Sequence, residues 1–318
     1  MQNNREILLS IIVPVYNVED YIEECLNSIV SQLNSKVELI IVNDGTEDRS
    51  IELISHFIKS PYIQLIEQSN SGLAAARNAG FKMATGNYIY FVDSDDYICE
   101  GAISKLLNLL YETKSELILT DFLMLDENSN SMFSVFNEFE VEQPIDFLNK
   151  VKSPLSHVWK YVVNRGFLMR HNISFRHGAL CEDLEWLTKI YLNKPSVSLT
   201  GFNLYVYRKN RIGSIMMTVS EKRLKDVFMA IKEIDKYISL NQKRDVQLEK
   251  SIKKVLFKEF LYSLSFVCYL TSDEQKRIKN NIYVFQKDYA FLSVYYMVKI
   301  IGILNFSKLL NFAKKIKN

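Results

Sequence analysis

The chain has 318 residues, of which 48% are hydrophobic and 24% are charged, and its formal net charge is +2. This composition is ordinary for a globular protein, so it excludes a disordered chain and gives no indication of nucleic acid as a partner. A chain of this length is expected to form two domains, or one domain with a large appendage. The cysteines are widely separated, which argues against a zinc or redox motif and predicts buried thiols in a reducing compartment: Cys25, Cys99, Cys181 and Cys268.

Residues 8–120 alternate apolar runs of strand length with amphipathic runs of helical length, which predicts βαβ units and a mainly parallel sheet. The predicted strands are Leu8–Val15, Val37–Val42, Ile63–Glu67, Tyr88–Val92 and Glu116–Leu125. The predicted helices cover approximately Tyr21–Leu33, Asp48–Lys59, Leu73–Ala84 and Gly101–Thr113. The third helix is rich in small side chains, so we expect it to lie close to the sheet. Asn17 and Asp20 are predicted to begin the first helix as a loose capping box.

The fourth predicted strand is followed at once by three carboxylates, Asp93, Asp95 and Asp96. Carboxylates this close repel one another unless a cation or hydrogen-bond donors lie among them. Mg²⁺ or Mn²⁺ fits such a group, because these ions accept carboxylates and fill their remaining positions with water and phosphate oxygens. The alternative is that the acids shape a turn and cap a helix beginning near Ile98, and this segment alone does not decide between the two.

Other polar side chains also lie at or just after predicted strands, where ligands bind in open α/β sheets. They are Tyr16, Asn17, Asp44, Asn70 and Arg77, in addition to Asp93 and Asp95. The chain has neither the glycine-rich P-loop nor the G-x-G-x-x-G pattern after its first strand. A diphosphate would therefore have to be held by a metal ion and side chains.

The second half of the chain is less regular. Residues 128–152 predict a hairpin or loop followed by a helix, and Val197–Tyr207 predicts another strand. Glu182-Asp183 leads into an apolar helix, and the stretch 208–214 predicts a basic, glycine-containing loop. Beyond Val219 the chain is predicted to be helical to its end. The expected domains are residues 1–120, 121–219 and 220–318.

Seven segments in fixed order resemble the bacterial family 2 glycosyltransferases, the non-processive GT-A type that builds capsular and other surface polysaccharides. They cover roughly residues 8–215 and read SIIVPVYN, VELIIVNDGTEDRS, NSGLAAARNAG, GNYIYFVDSDD, HVWK, GALCEDLEW and YRKNRIGSIM. Several ordered motifs are far more specific than one acidic tripeptide. The resemblance implies a Rossmann-like GT-A nucleotide half, an acceptor half and an inverting transfer from a UDP-sugar to a glycan or lipid-linked glycan. EDLEW replaces the Q-x-x-R-W of processive synthases, so processive polymerisation is not expected.

The resemblance also implies roles for individual residues. Pro14, Tyr16 and Asp44 would line the uracil pocket, and Arg77 would approach the base and phosphates. Asp95, with Asp93 as its partner, would hold Mn²⁺ or Mg²⁺ on the diphosphate, and Asp183 would be the catalytic base. The remaining nucleotide-sugar-binding residues expected from the matched motifs are Asn17, Asn70, Ser94, Arg208, Arg211 and Ser214.

The chemistry of an inverting transfer agrees with these roles, because it needs one base for the acceptor hydroxyl and charge stabilisation for the departing diphosphate. Each assignment has an alternative. The pair Glu182-Asp183 could only complement a helix dipole, the basic stretch 208–211 could be a solvated strand end, and Trp159 is expected to be a packing residue. The rival functions are a sugar nucleotidyltransferase, which would release pyrophosphate, and a non-catalytic nucleotide-sugar-binding scaffold.

The C-terminal stretch 290–318 contains five lysines and no acidic residue among many apolar side chains. Lys299 and Asn305 interrupt the apolar run, so a membrane span is not expected. A basic amphipathic helix in peripheral contact with the inner membrane fits this pattern, as does packing against the catalytic domain or a second subunit in a homo-oligomer. The apolar run 7–15 predicts neither a signal peptide nor a span, so we expect a cytoplasmic protein, with the membrane's cytoplasmic face left open.

Overall fold

The computed structural model describes residues 6–135, 143–151, 154–210, 220–240, 245–282 and 289–317. The chain divides into two compact units. The first consists of Met1–Val151, Ser156–Ala179 and Asn193–Ile212, and the second consists of Lys152–Leu155, Leu180–Leu192 and Gly213–Asn318. All strands of the described residues belong to the first unit, and the described part of the second unit is helical.

The first unit is built on one mixed sheet. Its strands are β1 (Leu9–Val15), β2 (Val37–Asn43), β3 (Ile63–Glu67), β4 (Tyr88–Phe91), β5 (Tyr97–Ile98), β6 (Leu117–Asp126), β7 (Ser131–Val135), β8 (Tyr161–Asn164) and β9 (Val197–Lys209). The order is β3-β2-β1-β4-β8-β6-β9-β5, and β7 pairs with β6. Neighbours within β3-β2-β1-β4 are parallel, whereas β8 runs antiparallel to β4. This arrangement confirms the predicted α/β fold.

Helices flank this sheet in the first unit. They are α1 (Ile22–Val30), α2 (Ser50–Ile54), α3 (Leu73–Met83), α4 (Ala102–Glu112), α5 (Pro144–Lys150) and α6 (Arg165–Arg170). The predicted capping box of α1 is wrong, because the N-cap position is Tyr21 and no side chain caps it. Asn17 instead has a positive φ of 51°, and its amide oxygen accepts the Glu47 N–H at 3.2 Å in the neighbouring loop.

The face of α3 that carries small side chains lies directly against β1 and β2. Ala74, Ala76 and Gly80 are among its buried residues. A Cβ atom at Gly80 would lie 2.4 Å from Ile12 Cγ2, closer than real Cβ atoms come, and a tight 3.2 Å from Val42 Cγ2. The expectation that small residues bring this helix close to the sheet is therefore confirmed.

Gly86 makes a second close approach, just before β4. A Cβ atom there would lie 2.7 Å from the backbone nitrogen of Ser10 and 2.9 Å from the carbonyl carbon of Leu9, so backbone would have to move. We expect Gly86→Ala to lower the free energy of unfolding by about 1–3 kcal/mol, measured by urea denaturation. Gly166→Ala is the matched control, because its nearest contacts are side-chain ends at 3.2 Å. Equal stability of the two variants would contradict the close approach.

The second unit contains the remaining helices. They are α7 (Glu182–Leu192), α8 (Glu221–Leu240), α9 (Val246–Leu264), α10 (Ser272–Ile282), α11 (Tyr289–Ile301) and α12 (Ile303–Lys317). Helix α8 contacts both α7 and α9, and its buried face includes Leu224, Val227 and Ile234. Among the described helices, none combines the length and the apolar character that crossing a membrane requires.

Candidate active site

The three acids predicted from the sequence lie together in the turn after β4. Asp93, Asp95 and Asp96 each place a carboxylate oxygen within 4.8 Å of the others. The turn is closed by the Asp96 N–H, which donates to the Asp93 carbonyl at 3.1 Å. Strand β5 follows this turn, and α4 begins only at Ala102 after a Gly101 N-cap. The alternative that the acids cap a helix near Ile98 is therefore wrong.

Tyr205 on β9 connects this turn to the strand that pairs with β5. Its buried hydroxyl donates to Asp96 Oδ2 at 2.7 Å, and its oxygen accepts the Asp93 N–H at 3.2 Å. The Arg208 N–H donates to the other oxygen of Asp96 at 2.7 Å. Both oxygens of Asp96 are thus bound by protein donors, so this acid orients the turn.

The acidic turn has the chemistry of a divalent cation site. Burial, followed by the charges of Asp95 and Asp93, raises the pKa of Asp96 well above its usual value. Asp93 and Asp95 are only half-buried, whereas Asp96 is buried. Hard carboxylate oxygens gathered in this way fit Mn²⁺ or Mg²⁺, and the predicted ligand role of Asp95 and Asp93, the two less buried acids, stays a prediction.

Arg77 on α3 forms an ion pair that orients Asp93. Its Nη2 lies 2.7 Å from Asp93 Oδ1, and its side chain is 3% exposed. The guanidinium carbon lies 5.6 Å from the centre of the Phe175 ring. Asn78 fixes the backbone of Phe175 with two hydrogen bonds, at 2.9 and 3.0 Å. Arg77 therefore contacts a proposed metal ligand, and its approach to the base and phosphates of a nucleotide stays a prediction.

Asp44 is bound by three protein donors at the end of β2. Its carboxylate accepts from Gln68 Nε2 at 2.7 Å and from the N–H groups of Ser71 and Gly72, each at 2.9 Å. It thereby ties the strand to the loop before α3. Since a carboxylate has about four acceptor positions, these three donors leave one position, and the predicted place of Asp44 in a uracil pocket stays a prediction.

The other residues predicted for the nucleotide pocket differ in exposure. Tyr16 is 43% exposed just beyond β1, so its ring is accessible for stacking. Asn17 and Asn70 are exposed, whereas Pro14 and Ser94 are buried. Accessible side chains at the carboxyl ends of β1 and β3 are the arrangement expected for a nucleotide pocket.

Arg208 lies in β9 and not in the predicted loop, because the strand continues to Lys209 by pairing with β6. Its side chain is 9% exposed, donates to Glu127 at 2.7 Å and pairs with Glu24. The guanidinium carbon also lies 5.0 Å from the centre of the Tyr97 ring. These side-chain contacts and the pairing of β9 with β6 hold Arg208 in the sheet. The other two predicted loop residues, Arg211 and Ser214, lie outside the described residues.

Asp183 is the second residue of α7 in the second unit, and it is half-buried. Its Oδ1 accepts the Leu184 N–H at 2.8 Å. Burial, followed by the charge of Asp183, raises the pKa of the neighbouring Cys181 thiol to about 12. The Cys181 thiol therefore stays protonated at neutral pH.

Trp159 is a packing residue, as the sequence indicated. It is 1% exposed, and its indole stacks on Tyr205 with ring centres 4.4 Å apart and on Tyr207 with ring centres 5.3 Å apart. The stacking on Trp159 restrains the Tyr205 ring, and so positions the hydroxyl that binds the acidic turn.

Comparison with known proteins agrees with this geometry. The sequence profile of glycosyl transferase family 2 matches residues 10–172, slightly more than half of the chain. The chain belongs to glycosyl transferase family 2. This membership confirms the predicted family. The profile covers the acidic turn, Arg77 and Asp44, and it ends before Asp183.

Two relatives illustrate the range of similarity. The uncharacterized glycosyltransferase EpsJ of Bacillus subtilis is 32% identical over 212 residues, which is 64% of this chain and 61% of EpsJ. The poly(ribitol-phosphate) beta-glucosyltransferase of Bacillus spizizenii is 30% identical over 255 residues, which is 76% of this chain but 38% of that enzyme. The chain thus spans less than two thirds of these relatives.

A solved structure extends the likeness to nearly the whole chain. The S. aureus TarS fragment 1–349, in complex with UDP-GlcNAc, matches with a TM-score of 0.77 and covers 97% of this chain and 92% of that fragment. The two sequences are 22% identical, so the likeness establishes the shared fold alone. The GT-A type of this glycosyltransferase, with a helical C-terminal region, is thereby confirmed.

Proposed function

We propose that this glycosyltransferase moves a sugar from a UDP-sugar to a hydroxyl of a glycan acceptor, with inversion at the anomeric carbon. The observation that carries the proposal is the acidic turn after β4, where three carboxylates meet within 4.8 Å at the carboxyl end of a parallel strand. Support comes from TarS, which was solved with UDP-GlcNAc and shares the fold. The acidic turn, Arg77 and Asp44 all lie in the stretch matched by the family profile.

On the donor side, the chain's contribution is to hold the diphosphate and the base. Asp95 and Asp93 would hold Mn²⁺ or Mg²⁺, which when bound neutralises charge on the departing UDP. Arg77 keeps Asp93 in place through the 2.7 Å bond, and Tyr205 keeps the turn in place through Asp96. Tyr16 is proposed to stack on the uracil, and Asp44 to accept its ring N–H at the remaining acceptor position.

On the acceptor side, Asp183 is proposed to act as general base. Its carboxylate takes the proton of the acceptor hydroxyl while the oxygen forms a bond to C1 of the sugar. The bond between C1 and the diphosphate oxygen breaks on the opposite face, and the bonding electrons leave with UDP. Because the diphosphate leaves well once its charge is neutralised, no acid has to protonate it. One positioned base is worth about 10²–10⁴-fold in rate.

Thermal unfolding with UDP tests the donor proposal. A ligand at 100 times its dissociation constant stabilises the folded state by about 2.7 kcal/mol. We expect UDP with Mn²⁺ to raise the melting temperature clearly more than UDP or Mn²⁺ alone, because Asp95 and Asp93 would hold an ion that neutralises charge on the diphosphate. An equal rise with UDP in the presence of EDTA would contradict the metal-dependent site.

In a turnover assay, release of pyrophosphate would indicate a nucleotidyltransferase, and binding without turnover would indicate a scaffold.

We also propose that the acceptor is a lipid-linked glycan of surface polysaccharide synthesis and that the chain meets it at the cytoplasmic face of the membrane. Support comes from relatives with related names, such as the minor teichoic acid biosynthesis protein GgaB of Bacillus subtilis. Helices α11 and α12 also expose apolar side chains next to exposed lysines. The exposed fractions are 50% for Tyr296, 76% for Ile300, 51% for Leu309 and 64% for Phe312.

Vesicle flotation tests this membrane contact. We expect the chain to float with phosphatidylglycerol vesicles and not with phosphatidylcholine vesicles, because lysines are attracted to anionic lipid while apolar side chains insert. Ile300→Asp with Phe312→Asp should abolish flotation. Tyr111→Asp is the control, since Tyr111 is 59% exposed on α4 in the other unit. Persistent flotation of the double variant would contradict the proposal, and a concentration-dependent dimer lost in that variant would favour a homo-oligomer.

A further inference from the structure

Asp226 is a buried acid on α8 that the mechanism above does not use. It is 9% exposed. Its Oδ2 accepts the Leu180 N–H at 2.8 Å and the Cys181 N–H at 2.7 Å. These two N–H groups belong to the segment immediately before α7. One carboxylate oxygen on α8 therefore fixes the backbone at the point where the chain enters α7.

This anchor acts two residues before the proposed base. Asp183 is the second residue of α7, so the position of its Cα follows from the path of the chain through Cys181. The side chain of Leu180 is 37% exposed, whereas its N–H is bound by Asp226. The two hydrogen bonds to Asp226 therefore restrain the backbone that presents Asp183.

The pKa of the Cys181 thiol is raised by burial first, and also by the negative charges of Asp183 and Asp226, while the charge of Arg223 lowers it. This direction agrees with the two hydrogen bonds that hold Asp226 beside the start of α7.

We propose that Asp226 is a positioning residue for the general base Asp183, and that it sets the reach of the base toward the acceptor hydroxyl. The inference rests on the proposed function, because it assigns a partner to the base of that reaction. A displacement of a reacting group by about 1 Å can cost about 10²-fold in rate. A purely structural role would instead change stability and leave the rate of the folded enzyme unchanged.

A graded series of variants separates position from charge. Asp226→Ala removes both hydrogen bonds, and we expect kcat to fall about 10–100-fold with the donor KM unchanged. Asp226→Glu keeps the charge but lengthens the side chain, so we expect a fall of at least about fivefold. Asp226→Asn keeps the acceptor at the same reach and should stay within about threefold of the parent. Ile234→Val, in the buried face of α8, is the control that lowers stability while kcat stays at the parent value.

A double-mutant cycle tests whether Asp226 acts through Asp183. In the Asp183→Asn background, Asp226→Ala should cause almost no further loss of the residual rate, because the displaced group is no longer a base. A full additional loss would overturn the proposal, as would parent-level kcat in folded Asp226→Ala and Asp226→Glu. If the alanine variant does not fold, the kcat of the glutamate variant tests the proposal instead. Parent-level transfer by Asp183→Asn alone would refute the assigned base. That failure can be told apart from a failure of the Asp226 proposal, because it is measured with Asp226 intact.

Discussion

Asp183→Asn is expected to lower the transfer rate by about 10²–10⁴-fold while leaving UDP affinity unchanged. The physical reason is that an amide cannot accept the proton of the acceptor hydroxyl. The fold should survive, because the amide oxygen of asparagine can still accept the Leu184 N–H that Asp183 Oδ1 now accepts at 2.8 Å. Initial rates of UDP release with a lipid-linked glycan extract, together with calorimetric UDP titration, measure the two quantities.

The control for this variant is Asp235→Asn, which makes the same chemical change on α8 in the same unit. The Asp235 side chain is 57% exposed, so its rate and UDP affinity should equal those of the parent. A transfer rate of Asp183→Asn within threefold of the control would remove Asp183 from the mechanism. Loss of UDP affinity together with rate would indicate a role in donor binding and not in proton transfer.

Asp95→Asn is expected to abolish the Mn²⁺-dependent part of UDP binding and to lower transfer at least about 100-fold, because metal and charge stabilisation of the leaving group are lost together. Replacing one acid also relieves repulsion within the turn, since the charge of Asp95 raises the pKa of Asp96. We therefore expect the metal-free variant to be at least as stable as the metal-free parent. Thermal unfolding with and without Mn²⁺ checks both effects.

Glu100→Gln is the matched control for Asp95→Asn. It removes one carboxylate from an exposed position in the same segment. This variant should keep the full stabilisation by UDP and Mn²⁺. If Asp95→Asn also keeps it, the ion binds elsewhere and the acidic turn serves only to shape the chain.

The parallel part of the sheet was predictable because each strand there is a long apolar run followed by an amphipathic helix. The bounds of β1, β2, β3 and β4 differ from the predicted ones by at most one residue. Strands β5 and β8 were not predicted, since Tyr97–Ile98 and Tyr161–Asn164 are too short to show a period of two. They are specified by their antiparallel partners in the sheet.

The acids of the candidate site were predictable from their position after a strand, but their supports were not. Tyr205 binds Asp96 across 109 residues of sequence, and Asp226 binds Leu180 across 46. No local pattern marks such pairs, because they depend on how strands and helices pack. Arg208 was assigned to a loop for a related reason. Its basic neighbours indicated a solvated segment, whereas pairing with β6 extends the strand through it.

Crystallising the protein with UDP and Mn²⁺ and locating the ion by its anomalous scattering tests the central claim most directly. The account predicts one strong manganese peak within coordination distance of Asp95 and Asp93, with the UDP diphosphate as the other ligand and the uracil beside Tyr16. A manganese peak on other residues, or UDP bound away from the turn after β4, would contradict it.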